Sequence, residues 1–286
     1  MAFVEFESRP DLSRAALICA FRGWNDGGEA ASTAAAYLRD RWSAKRFARL
    51  DPEEFYDFQV SRPFVRLEGG VTRRIEWPAN DFFHAALPER DVVVLLGIEP
   101  NIRWRTYVGS LVETAKGLEV DSFITLGAFL ADVPHTVPSP IAGTAPDPEL
   151  AERLGIATSR YEGPTGIVGV LQDAAARAGL GSVSFWAAVP HYLPSGPNPK
   201  AALALVEKLS AFLEVPVETD TLSRAAATWE EQVSEMIEQN DDLKGYVRRL
   251  EEGAGRGEEM GEIPTGDALA AELERFLREQ RGEPDA

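Results

Sequence analysis

Few side chains in this chain can move a proton near neutral pH, because it holds three histidines and one cysteine among 286 residues. Two of those histidines stand in the same setting. Val133-Pro134-His135 and Val189-Pro190-His191 each run into a proline-rich loop, with prolines 138, 140, 146 and 148 in the first and 194, 197 and 199 in the second. Glu99 lies in a third loop, Gly97-Ile98-Glu99-Pro100-Asn101, and Trp24, Asn25 and Asp26 lie in a fourth, within Arg22-Gly23-Trp24-Asn25-Asp26-Gly27-Gly28. If these loops close one crevice, two imidazoles and a carboxylate could share protons or hold a divalent cation. The residues come from separate loops without the tight spacing of a metal motif, so no metal and no cofactor is assigned. The simpler reading, preferred here, is that each histidine caps a turn. No G-x-S-x-G elbow is present, and the glycine loop matches neither G-x-x-x-x-G-K-[ST] nor G-x-G-x-x-G.

The elements that would position these loops alternate along the chain. Residues 15–21 are an apolar run closed by turn residues, the mark of a buried strand, and an alanine-rich helix follows from about Gly27. Asp26 with Glu29 reads as a capping box. The backbone amides of this loop suit an anion at a strand's carboxyl end, or simply a well-capped turn. Trp24 either plugs the core edge, the preferred reading, or waits for a partner. Ala30 and Ala34 are small enough to lie against a sheet or a neighbouring subunit, which makes them candidates for self-association.

Further strands are expected at 47–50, 81–85, 91–97, 122–130 and 183–189, and helices at 103–117, 166–179 and 199–213, with an acidic turn or short helix at 52–58. Residues 63–67 and 71–77, joined by Glu68, Gly69 and Gly70, read as a hairpin extending the sheet antiparallel. Strands alternating with helices imply an α/β fold with a mixed, largely parallel sheet flanked by helices.

A net charge of −17 repels phosphate backbones and anionic lipid, so neither nucleic acid nor membrane is the expected partner. Cys19 alone gives no disulfide framework, which fits a reducing, cytoplasmic setting. The start carries acids where a signal peptide carries positive charge, and no apolar run reaches membrane-spanning length, so a soluble chain is expected.

Composition changes after Pro216, which divides the chain into a core at 1–216 and an acidic helical extension at 217–286. The extension holds 19 acidic and 8 basic residues. Leu222, Ala226, Trp229, Val233, Met236, Asn240, Leu243, Val247 and Leu250 recur at alternating steps of four and three, a seam in which Trp229 and Asn240 could join two subunits. The preferred alternative folds the seam back on a second helix at 267–280 within the same chain.

The segments 21–32 (FRGWNDGGEAAS), 126–138 (LGAFLADVPHTVP) and 186–206 (WAAVPHYLPSGPNPKAALALV) resemble the proteasome assembly chaperone 2 family in its bacterial branch, and the resemblance spans residues 12–215. It implies a fold similar to the nucleoside phosphorylase and hydrolase group, a homo-oligomer, and a protein-binding or assembly-chaperone role connected with proteasome subunits. Some relatives dock through a C-terminal hydrophobic-tyrosine-any-residue ending, whereas this sequence ends Glu283-Pro284-Asp285-Ala286. Docking by such a tail is not expected. The alternative expectation is an enzyme or small-molecule binder using Trp24, Asn25, Asp26, Glu99, His135 and His191.

Overall fold

The computed structural model describes residues 3–69, 72–145, 148–153, 156–158, 162–193 and 196–255. The chain enters through β1 (Val4–Phe6) and then β2 (Ala16–Arg22), whose first six residues are buried because the strand has helices over both faces. A single 3-10 turn (Gly27–Glu29) leads into α1 (Ala30–Arg41), and β3 (Lys45–Leu50) follows. The helix therefore starts three residues later than the glycine loop suggested. Asp26 does cap it, accepting from Ala31 N–H at 2.8 Å and Ser32 N–H at 3.1 Å. The expected reciprocal bond from Glu29 is absent among the described residues, because Glu29 itself takes the left-handed conformation that turns the chain into α1.

Next come β4 (Phe64–Glu68), β5 (Thr72–Glu76), β6 (Asn80–Ala86), β7 (Asp91–Ile98), α2 (Trp104–Gly117) and β8 (Ser122–Ala131). The core closes with β9 (Ile141–Thr144), α3 (Pro148–Arg153), β10 (Ala157–Thr158), α4 (Ile167–Arg177), β11 (Ser182–Pro190) and α5 (Pro199–Leu213). A nine-stranded sheet runs β1-β3-β6-β7-β2-β8-β11-β9-β10. Its centre, β7-β2-β8-β11, is parallel, and its unbroken apolar strands are those that two covered faces demand. Antiparallel strands β6, β3 and β1 extend one side, and β9 pairs antiparallel with β11 on the other.

The sheet's two faces carry separate cores. Ile18, Val94, Ile124 and Phe185 meet α1 and α5 on one side, while Leu17, Leu95 and Phe123 meet Tyr107 and Leu111 of α2 and Leu171 of α4 on the other. Between β8 and β11 the approach is close: a Cβ on Gly127 would stand 2.5 Å from a ring carbon of Trp186, its register partner.

Two expectations change here. The hairpin β4–β5 does not extend the main sheet but forms a two-stranded sheet of its own, and the antiparallel extension is made by β6, β3 and β1. The helical seam after Pro216 is not continuous either. It breaks into α6 (Asp220–Glu238) and α7 (Asp241–Gly255) at Asn240, whose Oδ1 accepts from Asp242 and Leu243 N–H at 3.1 Å each. The buried stripe of α6 is Leu222, Ala226, Val233 and Ile237, while Met236 is exposed. That drift away from a strict seven-residue repeat is what a straight helix of 3.6 residues per turn produces. α6 packs on α5 and α7 packs on α6, within one chain. The helix expected at 267–280 lies outside the described residues.

Candidate functional site

The loops after the parallel strands all open at the same end of the sheet, and the polar residues there fall into two groups. In the first, Asn25 O accepts from Ala128 N–H at 2.8 Å and Asp26 forms a parallel bridge with Ala128, so both residues continue the line of β2 beside β8. That turns Asn25 inward, to 1 % exposure, and leaves Trp24 outside at 52 %. Trp24 is therefore not the core plug expected of it.

The carboxylates and amides of this group serve helix starts. Asp26 caps α1, Glu99 Oε1 accepts from Ile167 N–H at 2.8 Å at the start of α4, and Asn198 Oδ1 accepts from Ala201 N–H at 2.9 Å at the start of α5. The backbone amides that could greet an anion at α1 are thus taken by Asp26. Asn198 N–H also donates to Gly28 O at 2.7 Å, tying two of these starts together. Gly166 lies so close that a Cβ there would stand 1.8 Å from Asn25 Oδ1 and 2.9 Å from Glu99 Oε1. Among the described residues, neither amide atom of Asn25 nor the second oxygen of Asp26, all buried, has a hydrogen-bond partner. Burial, the largest influence, raises the Asp26 carboxyl above its usual range, and nearby Glu29 adds to it.

The second group holds both histidines beneath α6 and α7. His135 N–H donates to Tyr192 OH at 2.8 Å, and the same hydroxyl lies 2.9 Å from His135 Nδ1. Having accepted one bond, the hydroxyl donates its proton to Nδ1, which leaves Nε2–H to donate to Ser234 Oγ at 3.0 Å. Lys200 donates to His135 O at 2.6 Å and pairs with Glu230 of α6 at 2.5 Å. Burial is the chief cause holding His135 below the usual imidazole range. His191 Nδ1 stands 3.0 Å from Asp132 Oδ1, which also accepts from Tyr246 OH at 3.2 Å. Edge-to-face contacts link the rings: His135 to Tyr192 at 6.1 Å, His191 to Tyr192 at 5.8 Å and His191 to Tyr246 at 5.5 Å. The histidines clasp the helical extension to the strand ends.

Of the candidate self-association residues, Ala30 and Ala34 are fully buried in the chain's own core with the sheet and α5. Trp229 packs with Val233, Ile237 and Tyr192, and Asn240 caps α7. Tyr192, Ser234, Asn198 and Gly166 carry the site's geometry without any signal in the sequence beyond an ordinary loop or helix residue.

Two further surfaces lie elsewhere. A cavity of about 920 Å³ sits between α1, the β3–β6 side and the hairpin, with Arg22, Arg39, Arg49 and Arg74 set among Glu29, Glu53, Glu76 and Asp81 on its wall. An open acidic face runs along α6 and carries Glu230, Glu231, Glu235 and Glu238. None of the six crevice residues lines either one. Among the described residues no three His, Cys, Asp or Glu side chains are grouped to hold a metal, and no helix is long and apolar enough to cross a membrane.

The PAC2 family model matches residues 20–237, from the end of β2 through α6. The chain belongs to the PAC2 family. Solved structures agree: a PAC2 family protein from Streptomyces avermitilis is 43 % identical, with 82 % of this chain and 99 % of that one covered at a TM-score of 0.74. A proteasome-assembly chaperone homologue from Mycobacterium tuberculosis is 45 % identical, covering 81 % and 99 % at a TM-score of 0.75. PbaB from Pyrococcus furiosus, an archaeal proteasome activator, is 18 % identical, covers 82 % and 97 % at a TM-score of 0.66, and is a likeness of fold alone. No curated protein matches the sequence. In this PAC2 chain the segments at 21–32, 126–138 and 186–206 are those that cap α1, carry His135 and lead into α5.

Proposed function

We propose that this PAC2 protein is a cytoplasmic, homo-oligomeric assembly factor that binds proteasome subunits. The observation that carries the reading is the 45 % identity to the M. tuberculosis proteasome-assembly chaperone homologue, over 99 % of that chain. The site's chemistry is compatible with it. Asp26, Glu99, Asn198 and His135 all hold the fold together at the strand ends, which suits a rigid binding scaffold better than a proton-transfer centre. The test is reconstitution with purified 20S α-subunits and the full-length chain. Co-elution and faster ring formation are expected; no complex and no rate change at tens of micromolar would remove the proteasome from the proposal.

A small-molecule reading attaches to the 920 Å³ cavity, whose wall sets Arg22, Arg39, Arg49 and Arg74 among Glu29, Glu53, Glu76 and Asp81 and so suits a polar ligand with groups of both signs. A thermal-shift screen of polar metabolites tests it. A stabilising hit abolished by Arg22→Ala would establish this second reading, and a hit indifferent to that change would not.

A further inference from the structure

The hairpin β4–β5 is isolated from the nine-stranded sheet, and its register pairs Val65 with Ile75 and Leu67 with Arg73. Because alternate residues face opposite ways, Val65, Leu67, Ile75 and Arg73 share one face. That face is open: Val65 is 59 %, Leu67 60 % and Ile75 54 % exposed. Val60, Phe64 and Trp77 are exposed around the base of the arm. A lone two-stranded ribbon is marginal in water, and a contiguous apolar patch of this kind marks a surface that another molecule covers.

Charge identifies the cover. Residues 62–77 hold four arginines and two glutamates in a chain of net charge −17, so the arm is a basic projection from an acidic molecule. Arg62 and Arg73 form no ion pair among the described residues. Another copy of the chain offers what the arm lacks. Its α6 face carries Glu230, Glu231, Glu235 and Glu238, with the exposed side chain of Met236 beside them; Glu230 is paired with Lys200 and Glu238 with Lys244, which leaves Glu231 and Glu235 to meet an incoming cation. Pairing arm with arm would instead bring together two ribbons of net positive charge.

We propose that the hairpin arm docks on the acidic α6 face of a second copy of this chain. Val65, Leu67 and Ile75 are desolvated against the helix while Arg62 and Arg73 meet Glu231 and Glu235. The contact joins two different surfaces, which a two-fold dimer makes twice, each arm on the other copy's α6, and a closed ring makes once per subunit. The inference rests on the self-association part of the proposed function and is independent of the proteasome.

The test is light scattering and sedimentation of the purified full-length chain over a concentration series, beside Val65→Thr/Leu67→Thr/Ile75→Thr. The wild type is expected at a multiple of 31.3 kDa and the triple variant at 31.3 kDa. A wild type that stays monomeric at tens of micromolar overturns both the self-association and the arm. A triple variant keeping the wild-type mass overturns the arm alone, and capture of α-subunits reads the proteasome proposal separately. Charge exchange covers the case in which the triple variant unfolds: Arg73→Glu and Glu235→Arg should each weaken assembly at least tenfold, and the two changes together should restore it. Failure of the pair to restore assembly overturns the α6 acceptor.

Discussion

Asn80 is a fully buried side chain that joins three elements. Its Nδ2 donates to Tyr56 OH at 2.6 Å, while its Oδ1 accepts from Tyr107 OH at 2.8 Å and from Ile98 N–H at 3.1 Å. Tyr56 OH in turn donates to Ile98 O at 2.5 Å, and burial is the main cause pushing its phenol up to about 12. Replacing Asn80 by leucine keeps the branching of the side chain and strands the partners, at about 1–3 kcal/mol for each buried group left unpaired. Urea unfolding of Asn80→Leu should show a loss above about 2 kcal/mol; a smaller loss would mean the network relaxes onto water. Asp26 makes a sharper comparison. Asp26→Ala removes the acceptor for Ala31 and Ser32 N–H and should cost about 1–2 kcal/mol, whereas Asp26→Asn keeps that acceptor and should cost less than half as much. Equal losses in the two variants would show that the charge, not the cap, is what matters at position 26.

At the scale of elements, α6 and α7 are held down by polar side chains as well as by apolar ones. Leu222 and Ala226 are buried on α6, Leu222 within the main core, while Val233, Ile237 and Val247 form a small cluster of their own. The His135 latch makes this docking sensitive to pH. Its folded value lies below the ordinary 6.5, with Lys200 lowering it further and Glu230 and Glu251 partly opposing. Between 6.5 and that folded value the unfolded chain binds a proton that the native chain refuses, so stability is full above 6.5 and declines as pH falls through the window. Hydrogen exchange of α6 amides should quicken at pH 5.5 relative to 7.5 beyond the intrinsic rate change, and His135→Gln should flatten that difference. An unchanged pH response in the variant would place the sensitivity elsewhere. Asn240 governs the neighbouring break. Asn240→Ala removes both acceptor bonds at the start of α7 and should weaken that helix by about 1 kcal/mol, read as faster exchange at Asp242 and Leu243; unaltered exchange would show that packing on α6 fixes the break instead.

For the whole molecule, the local signals and the through-space ones separate cleanly. Residues 91–97 have no polar side chain after Asp91, and such a run has a single economical fate, a strand between two covered faces, so the central strands and the α/β class were legible in the sequence. Charge also shifts after Pro216, with 19 acids against 8 basic residues, and the described part of that stretch forms α6 and α7. The short strands β1, β9 and β10 were not legible, because two to four residues carry too little pattern to distinguish an edge strand from a loop. The same limit applies to polar partners. His135 meets Tyr192 at a separation of 57 residues and Ser234 at 99, and Glu99 reaches Ile167 across 68. Local spacing encodes none of those pairings. Sequence alone therefore determined which segments must be buried, since burial follows from side-chain chemistry within one element. Tertiary structure decided that the strand-end carboxylates cap helices, that both histidines lie under α6 and α7, and that the hairpin stands apart with its apolar face open, because each depends on which distant surfaces the folded chain brings together.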